Sequence, residues 1–395
     1  ADPNHSGAYG NLGDVLAKMG QYERAAEMFT KQLAIREHPY YYIARGLVYG
    51  NLGQTEKEKA DYLKTLELDP SYAYAYNNLG VTYHAEGNLP EAIKYLEQAI
   101  QTDADILSAH RTLGNALAES GREEEALAVW DKALEHFAPG NNAAVADLTR
   151  DKLLFFKWRG RYQEAAGLVE TLRSAGGLDA ETMCHVAECV YELERFDEAK
   201  AWYTRALKAS KKKDPYILVS AAGFYEHGKI NLVMADAYYI KALQIEPDNY
   251  EDYIRLARVR LRRRLKAEPC WRKAEMLLDA VPLPERTPCY HYWRAECLRG
   301  MGRPEAEEAY CQAVAEAKDY QVCATRACYD AFFGLACLYA ERGDTEKARK
   351  YLENTLAIKN DVEYRNFLRL LDGGGAAEKE DGRGFWGRLL RKIFS

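Results

Sequence analysis

One stretch of the sequence nearly matches a phosphate-binding loop. Residues 223–229 read Gly-Phe-Tyr-Glu-His-Gly-Lys, which is the glycine and lysine spacing of a P-loop. The next residue is Ile230, at the position where a Ser or Thr hydroxyl would bind magnesium. A P-loop also follows a strand and opens a helix, whereas Gly223 falls inside a predicted helix. We therefore interpret the match as chance and predict no nucleotide site.

The nine cysteines are the next candidates for chemistry, and all of them lie beyond residue 180. No Cys-x2-Cys pair occurs, and the shortest spacings are Cys184-x4-Cys189 and Cys323-x4-Cys328. This spacing does not place two thiolates on one face of a helix, so we predict no zinc site. Several cysteines occupy or adjoin positions for small residues, which favours reduced thiols with a packing role.

The eight histidines and the many carboxylates form no catalytic set that the sequence reveals. No His-Glu-x-x-His motif occurs, and no nucleophile, base and orienting group are placed together. Carboxylates on helix surfaces normally form a solvated face. We therefore predict that the chain is not an enzyme and that it holds no metal or cofactor.

The composition is that of a large folded protein. The 395 residues carry a net charge of −6, and 48% of them are hydrophobic. This excludes a disordered chain, and the mild acidity argues against a dedicated nucleic-acid binder. No run of about 18 apolar residues is present, and no signal peptide is visible. Residues 1–6 look like an expression remnant or a disordered N-terminus.

The elements that must position any site follow a fixed period. Four glycines recur at a nearly constant interval, namely Gly13, Gly46, Gly80 and Gly114. Each is followed seven residues later by a second glycine: Gly20, Gly53, Gly87 and Gly121. Amphipathic segments flank the second glycine, so the pattern predicts two helices joined by a short turn. One such pair cannot bury its own apolar face, so the pairs must stack.

This pattern resembles the tetratricopeptide repeat, a unit of about 34 residues whose two helices meet closely at small side chains. The resemblance covers roughly residues 7–360 and implies an all-α solenoid of about ten repeats, wound as a right-handed superhelix. It is strongest in repeats one to four and in repeat ten, and weakest in repeats five and eight.

The resemblance also suggests boundaries along the chain. Four clear repeats should occupy residues 7–138, and a divergent repeat with its connection should occupy 139–180. Five further repeats with insertions should follow at 181–360. We then expect a capping helix at 361–372, a Gly-rich polar linker at 373–381 and a basic amphipathic tail at 382–395.

In this family the first helices of the repeats line a concave groove that binds peptides. Carried onto repeats two to four, the groove positions are Tyr40, Ile43, Leu47, Tyr74, Asn77, Asn78, Val81, His84, Arg111 and Asn115. Such a wall could hold a peptide backbone with carboxamides and bury its side chains against aromatic and aliphatic groups. The alternative is a hydrated wall without a ligand.

Two sets of ligand-binding residues known from relatives are incomplete in this groove. The carboxylate clamp of chaperone-tail binders needs Lys and Asn, then Asn, then Lys and Arg, and Gly10, Asp14 and Ala44 break it. The asparagine ladder of sugar-transferring relatives is matched by Asn11 and Asn78, but Ala44 and Thr112 interrupt it.

Repeat eight carries an arginine stripe, which consists of Arg255, Arg258 and Arg262. Their spacing of i, i+3 and i+7 places them on one helical face. Guanidinium groups in this arrangement suit an acidic peptide, a phosphate or a carboxylate. The alternative is that neighbouring Glu and Asp side chains neutralise the stripe.

The tail combines large apolar residues with cations. Apolar pairs recur every four residues and basic residues lie between them: Phe385, Trp386, Arg388, Leu389, Leu390, Arg391, Lys392, Ile393 and Phe394. This pattern is typical of a helix that binds an anionic membrane surface or a partner protein. A disordered tail, or one that packs on its own solenoid, is the alternative.

These features predict a non-catalytic scaffold or adaptor that binds a partner protein segment in its groove. The sequence leaves two other functions open, namely a chaperone-like receptor for secreted or assembling subunits and the targeting or regulatory arm of an enzyme on another chain. We expect a cytoplasmic protein, peripheral to a membrane if the tail binds one. A removed leader would instead indicate the periplasm.

Overall fold

The structure is a computed structural model that describes residues 7–228, 231–282, 287–317, 326–358, 367–368 and 371. Every regular element within these residues is helical and none is a strand, which confirms the all-α prediction. The chain forms two compact units, the N-terminal unit Ala1–Gly177 and the C-terminal unit Leu178–Ser395.

In the N-terminal unit, consecutive helices pair into helix-turn-helix repeats. The first four repeats are α1 (Ala8–Lys18) with α2 (Tyr22–Ile35), α3 (Pro39–Asn51) with α4 (Thr55–Leu68), α5 (Ala73–Ala85) with α6 (Leu89–Thr102), and α7 (Leu107–Glu119) with α8 (Glu123–Phe137). The fifth pairs α9 (Asn142–Trp158) with a second helix that is divided into α10 (Tyr162–Gly167) and α11 (Val169–Ser174). The division coincides with the weak sequence pattern of this repeat.

A glycine with left-handed backbone angles ends the first helix in each of the first four repeats. The φ angles are +73°, +67°, +75° and +81° at Gly20, Gly53, Gly87 and Gly121. The residue after the glycine donates its N–H to a carbonyl five residues earlier, as Gln21 does to Leu16 at 2.9 Å. This is a Schellman cap, and it favours glycine because side chains oppose positive φ.

The other repeated glycine allows the two helices of a repeat to approach closely. Gly13 on α1 faces Phe29 on α2, and a Cβ atom at this glycine would lie 2.7 Å from the phenyl ring. Gly114 on α7 likewise faces the fully buried Trp130 on α8, and its Cβ would overlap the indole ring. These two glycines are therefore required by packing between helices rather than by backbone angles.

The core of the N-terminal unit continues from one repeat to the next. Ile43 and Tyr62 of repeat two form one cluster with Ala75 and Leu79 of repeat three, and all four side chains are buried. Each repeat thus completes the apolar surface of its neighbour, as the stacking argument predicts.

The C-terminal unit has the same helix pairs with one irregular turn. Its helices are α12 (Ala180–Glu192), α13 (Phe196–Ala209), α14 (Pro215–Gly223), α15 (Leu232–Ile245), α16 (Tyr250–Arg262), α17 (Glu268–Asp279), α18 (Pro288–Gly300), α19 (Ala306–Ala317), α20 (Arg326–Glu341) and α21 (Thr345–Ile358). A π-helical turn, Phe224–Gly228, extends α14.

Part of the predicted capping helix is described. Phe367 and Leu371 are buried, and the ring of Phe367 lies 5.6 Å from that of Phe333. The remaining residues of 361–372, the linker at 373–381 and the tail at 382–395 lie outside the described residues.

Alternating charges connect three consecutive first helices of the C-terminal unit. We name this set the charged ladder, and its members are Glu226, Arg258, Arg262, Glu296 and Arg299. Arg258 lies 3.9 Å from Glu226 and 3.4 Å from Glu296. Arg262 lies 3.6 Å from Glu226, and Arg299 lies 3.3 Å from Glu296. Both carboxylates are buried, so each depends on these cations for its charge compensation.

The ladder keeps its buried carboxylates ionised. Burial on its own would raise the pKa of Glu226, but His227, Arg258 and Arg262 together lower it below the ordinary value. For Glu296, burial is likewise outweighed by Arg299 and Arg258, and its pKa is lowered. The folded unit is therefore more stable with both groups charged.

The close approach at Gly114 can be tested by adding one methyl group. We expect Gly114→Ala to destabilise the N-terminal unit by about 1–3 kcal/mol, because an extra methyl in a well-packed interface forces side chains or backbone to move. Urea unfolding of the full chain, followed by circular dichroism, would measure the change.

Gly167→Ala is the matched control in the same unit. A Cβ atom at Gly167 meets nothing within 4 Å, so only the higher helix propensity of alanine should act, and it favours folding by up to about 1 kcal/mol. Equal destabilisation by the two substitutions would contradict the packing argument.

The charged ladder makes stability depend on pH. At pH 7 we expect Glu226→Gln to cost about 3–5 kcal/mol, because the substitution leaves the partly buried Arg258 and Arg262 short of a compensating charge. The contribution of Glu226 is complete above the ordinary pKa of 4.5 and is lost as pH falls through the lowered value in the folded state. Urea unfolding in steps from pH 7 to pH 3 should therefore show the two proteins converging in acid.

Glu268→Gln removes a charge from an exposed pair and serves as the control. Glu268 binds Arg272 one helical turn away at 2.6 Å, and such surface pairs contribute about 0–1 kcal/mol. If Glu226→Gln cost no more than Glu268→Gln at pH 7, the ladder would not stabilise the unit.

Candidate functional site

Four of the predicted groove residues form an exposed apolar patch on the N-terminal unit. The patch consists of Tyr40 and Leu47 on α3 and of Tyr74 and Val81 on α5, and these side chains are between 39% and 58% exposed. Within each helix the two residues are seven apart and share a face. Tyr74 follows Tyr40 by one repeat period, and Val81 follows Leu47 by the same interval, so the two pairs occupy equivalent positions in adjacent repeats.

Two of the predicted groove residues lie beneath the surface instead. Ile43 is buried in the cluster with Tyr62, so its side chain belongs to the core between repeats. Asn77 is also buried, and its side chain accepts a hydrogen bond from Ser108 at 2.8 Å and donates to Asn78 at 3.2 Å. Both side chains are therefore packed inside the unit, and their contact with a partner stays a prediction.

Three further groove residues are partly accessible polar groups. Asn78 and Asn115 are half-buried, and both could offer a carboxamide to a peptide backbone. His84 is half-buried too, and its Nε2 lies 3.0 Å from the carboxylate of Glu119 on α7. This pair joins the first helices of repeats three and four.

Arg111, the last predicted groove residue, is engaged within the unit. It donates two hydrogen bonds to Asp151 on α9, at 2.5 and 2.9 Å, and it lies 3.7 Å from Asp147. Paired guanidinium–carboxylate bonds of this kind are strong and directional. Arg111 therefore connects repeat four to repeat five, and its charge is already paired with Asp151.

Asp14, which interrupts the carboxylate clamp in repeat one, contacts the patch through Tyr40. The Tyr40 hydroxyl donates to Asp14 at 2.9 and 3.0 Å, and burial together with this carboxylate raises the pKa of Tyr40 to about 12. Asp14 occupies, in repeat one, the position that Leu47 has in repeat two. The groove positions of repeat one locate Asp14, but residue types alone do not reveal its hydrogen bond to Tyr40.

The arginine stripe on α16 is also engaged inside its unit. Arg255 binds Asp252 at 2.8 Å and Glu251 at 3.1 Å. Arg258 and Arg262 belong to the charged ladder. All three side chains thus have carboxylate partners, as in the alternative that the sequence left open, and an acidic ligand would have to displace those partners.

Reactive cysteines, metal sites and membrane-binding segments have few candidates in the described part of the chain. Burial raises the pKa of the Cys297 and Cys337 thiols to about 12, which disfavours the thiolate needed for nucleophilic attack or metal binding. Among the described residues, no cluster of His, Cys, Asp or Glu is arranged to hold a metal, and no helix could cross a bilayer. Every predicted membrane or partner residue of the tail, from Phe385 to Phe394, lies outside them.

Comparison with known proteins returns relatives of the same architecture. The TPR repeat-containing protein YpiA of Bacillus subtilis is 24% identical over 217 residues, which is 55% of this chain and 50% of YpiA. Photosystem I assembly protein Ycf3 of Acaryochloris marina is 34% identical over 84 residues, which is 20% of this chain and 51% of Ycf3. The chain therefore spans about half the length of these curated relatives.

A solved structure, that of Pseudomonas aeruginosa pilF, is 20% identical with a TM-score of 0.45, over 53% of this chain and 93% of that chain. Sequence models of the tetratricopeptide repeat match residues 8–39, 39–72, 73–105, 92–144, 159–215 and 330–357. Together they cover more than half of the chain, and four of them, 8–39, 39–72, 73–105 and 330–357, each fall on one helix pair of the structure. The chain belongs to the tetratricopeptide repeat family.

Proposed function

We propose that this chain is a non-catalytic scaffold or adaptor that binds a segment of a partner protein on the first helices of repeats two to four. The observation that carries this proposal is the exposed apolar patch of Tyr40, Leu47, Tyr74 and Val81. Single apolar residues on a surface need no explanation, but an ordered set at repeated positions is typical of an interaction site.

The chemistry of the patch suits a protein ligand. Tyr40 and Tyr74 offer large rings whose rotamers cost little entropy to fix, and such rings often dominate binding energy. Leu47 and Val81 add aliphatic contacts, while half-buried Asn78 and Asn115 can hydrogen-bond a peptide backbone. This combination supports burial of partner side chains together with capture of the partner's main chain.

One relative supports a role in protein association. Ycf3 is by its name an assembly protein, and it is 34% identical to this chain over 84 residues. In our proposal the arginine stripe has a structural role, because its side chains are paired within the C-terminal unit. The tail at 382–395 remains predicted to bind an anionic membrane or a partner.

Site-specific photo-crosslinking would test the partner site. We expect p-benzoylphenylalanine in place of Leu47 to crosslink a defined partner in the native cell, because this side chain is 48% exposed within the patch. Tyr74→Ala in the same protein should lower the yield at least tenfold, as loss of a central aromatic anchor does. Mass spectrometry of the adduct would identify the partner.

Leu63 on α4 is the matched control position, since it is 40% exposed and lies on a second helix. The proposal requires the defined adduct from position 47 and not from position 63. The same adducts from both positions, with yields that Tyr74→Ala does not change, would disprove the partner site.

A further inference from the structure

The apolar patch is bordered by polar positions along the first helices. At the repeat position of Leu47 and Val81, repeat one has Asp14 and repeat four has Asn115. At the position of Tyr40 and Tyr74, repeat four has Ser108. The apolar surface thus covers two repeats, which limits how many large side chains of a partner it can bury.

The arginines on these first helices are already neutralised. Helices α1, α3, α5 and α7 carry three Lys or Arg residues, which are Lys18, Arg45 and Arg111. Arg45 binds Asp61 through two hydrogen bonds of 2.8 and 2.7 Å, and Arg111 binds Asp151 in the same manner. Lys18 remains as an exposed cation at the end of α1.

The acidic groups on the same helices are Asp14 and Glu119, and neither has a Lys or Arg partner among the described ion pairs. Asp14 accepts the hydroxyl of Tyr40, and exposed Glu119 lies beside the imidazole of His84. The surrounding repeats also have a negative net charge, since residues 7–138 contain 20 Asp and Glu against 12 Lys and Arg. The formal charge of the repeats around the patch is therefore net negative.

We infer that the patch selects a partner segment in which a few large apolar side chains are flanked by Lys or Arg. This inference rests on the proposed function and specifies the partner's chemistry. The apolar side chains would bury against Tyr40, Leu47, Tyr74 and Val81, while the flanking cations would meet Asp14 at one border and Glu119 at the other. Complementary charge at the border of a site mainly raises selectivity and the rate of association.

An acidic segment would be disfavoured at the same surface. Its carboxylates would approach Asp14 and Glu119, and because Arg45 and Arg111 are paired with aspartates, Lys18 is the one exposed cation on these four helices that could compensate them. Like charges placed across an interface cost affinity, which excludes such partners.

A random library of 12-residue peptides displayed on phage would test the inference against the immobilised full chain. We expect the enriched peptides to contain at least two large apolar residues and more Lys and Arg than Asp and Glu. They should no longer be enriched on the Leu47→Ser/Val81→Ser variant, which keeps the fold because both side chains are exposed. Circular dichroism would confirm that it does.

The outcomes separate this inference from the proposed function. The enriched peptides could depend on Leu47 and Val81 but carry neutral or acidic flanks. That result would overturn the charge selectivity and leave the apolar patch as the binding site. Peptides that bind the variant equally well would overturn both. Failure to enrich any peptide would overturn the inference.

The border charges can be removed directly. The synthetic form of the most enriched peptide should bind Asp14→Asn/Glu119→Gln about three- to tenfold more weakly at low salt, and this difference should shrink at high salt. Glu124→Gln/Glu135→Gln on α8 removes the same charge elsewhere in repeat four and should change the affinity less than twofold. Equal weakening by both variants would mean that the net charge of the protein, and not the two border residues, determines the affinity. That result would overturn the selective site.

Discussion

The N-terminal unit depends on close contact between a small residue on one helix and a large residue on its partner. Where glycine faces Phe29 or Trp130, the two helix backbones approach until the ring fills the space that a side chain would occupy. This contact sets the distance within each pair, and the Schellman cap sets where the chain reverses. Because the contact and the cap recur once in every repeat, the first helices present equivalent residues side by side. One surface can therefore be built from several repeats.

The two units use their first helices differently. In the N-terminal unit, positions that point away from the core carry Tyr40, Leu47, Tyr74 and Val81, which stay exposed. In the C-terminal unit, comparable helices carry the charged ladder, whose groups satisfy one another. Opposite charges at close range leave little net attraction for a ligand, whereas exposed apolar side chains gain free energy when a partner covers them. This contrast is the physical reason for proposing the partner site in the first repeats.

Much of the fold followed from the sequence, because a regular period of glycines and apolar residues fixes helix pairs locally. The exposed positions Tyr40 and Tyr74 followed from the same register. The partners of charged residues did not, since Arg111 pairs with Asp151 forty residues later, in a repeat whose pattern is weak. Residue type alone also does not distinguish a groove residue from a core residue. Isoleucine suits both environments, and Ile43 belongs to the core because Tyr62 and Leu79 pack around it.

The π-helical turn at Phe224–Gly228 links chain length to charge placement. A π turn holds one residue more than an α turn, and the extra residue rotates the side chains beyond it by about 100° around the helix axis. Glu226 lies within this turn, so the altered register decides which way its carboxylate faces. The charged ladder therefore depends on one irregular turn of the backbone as well as on which residues carry charge.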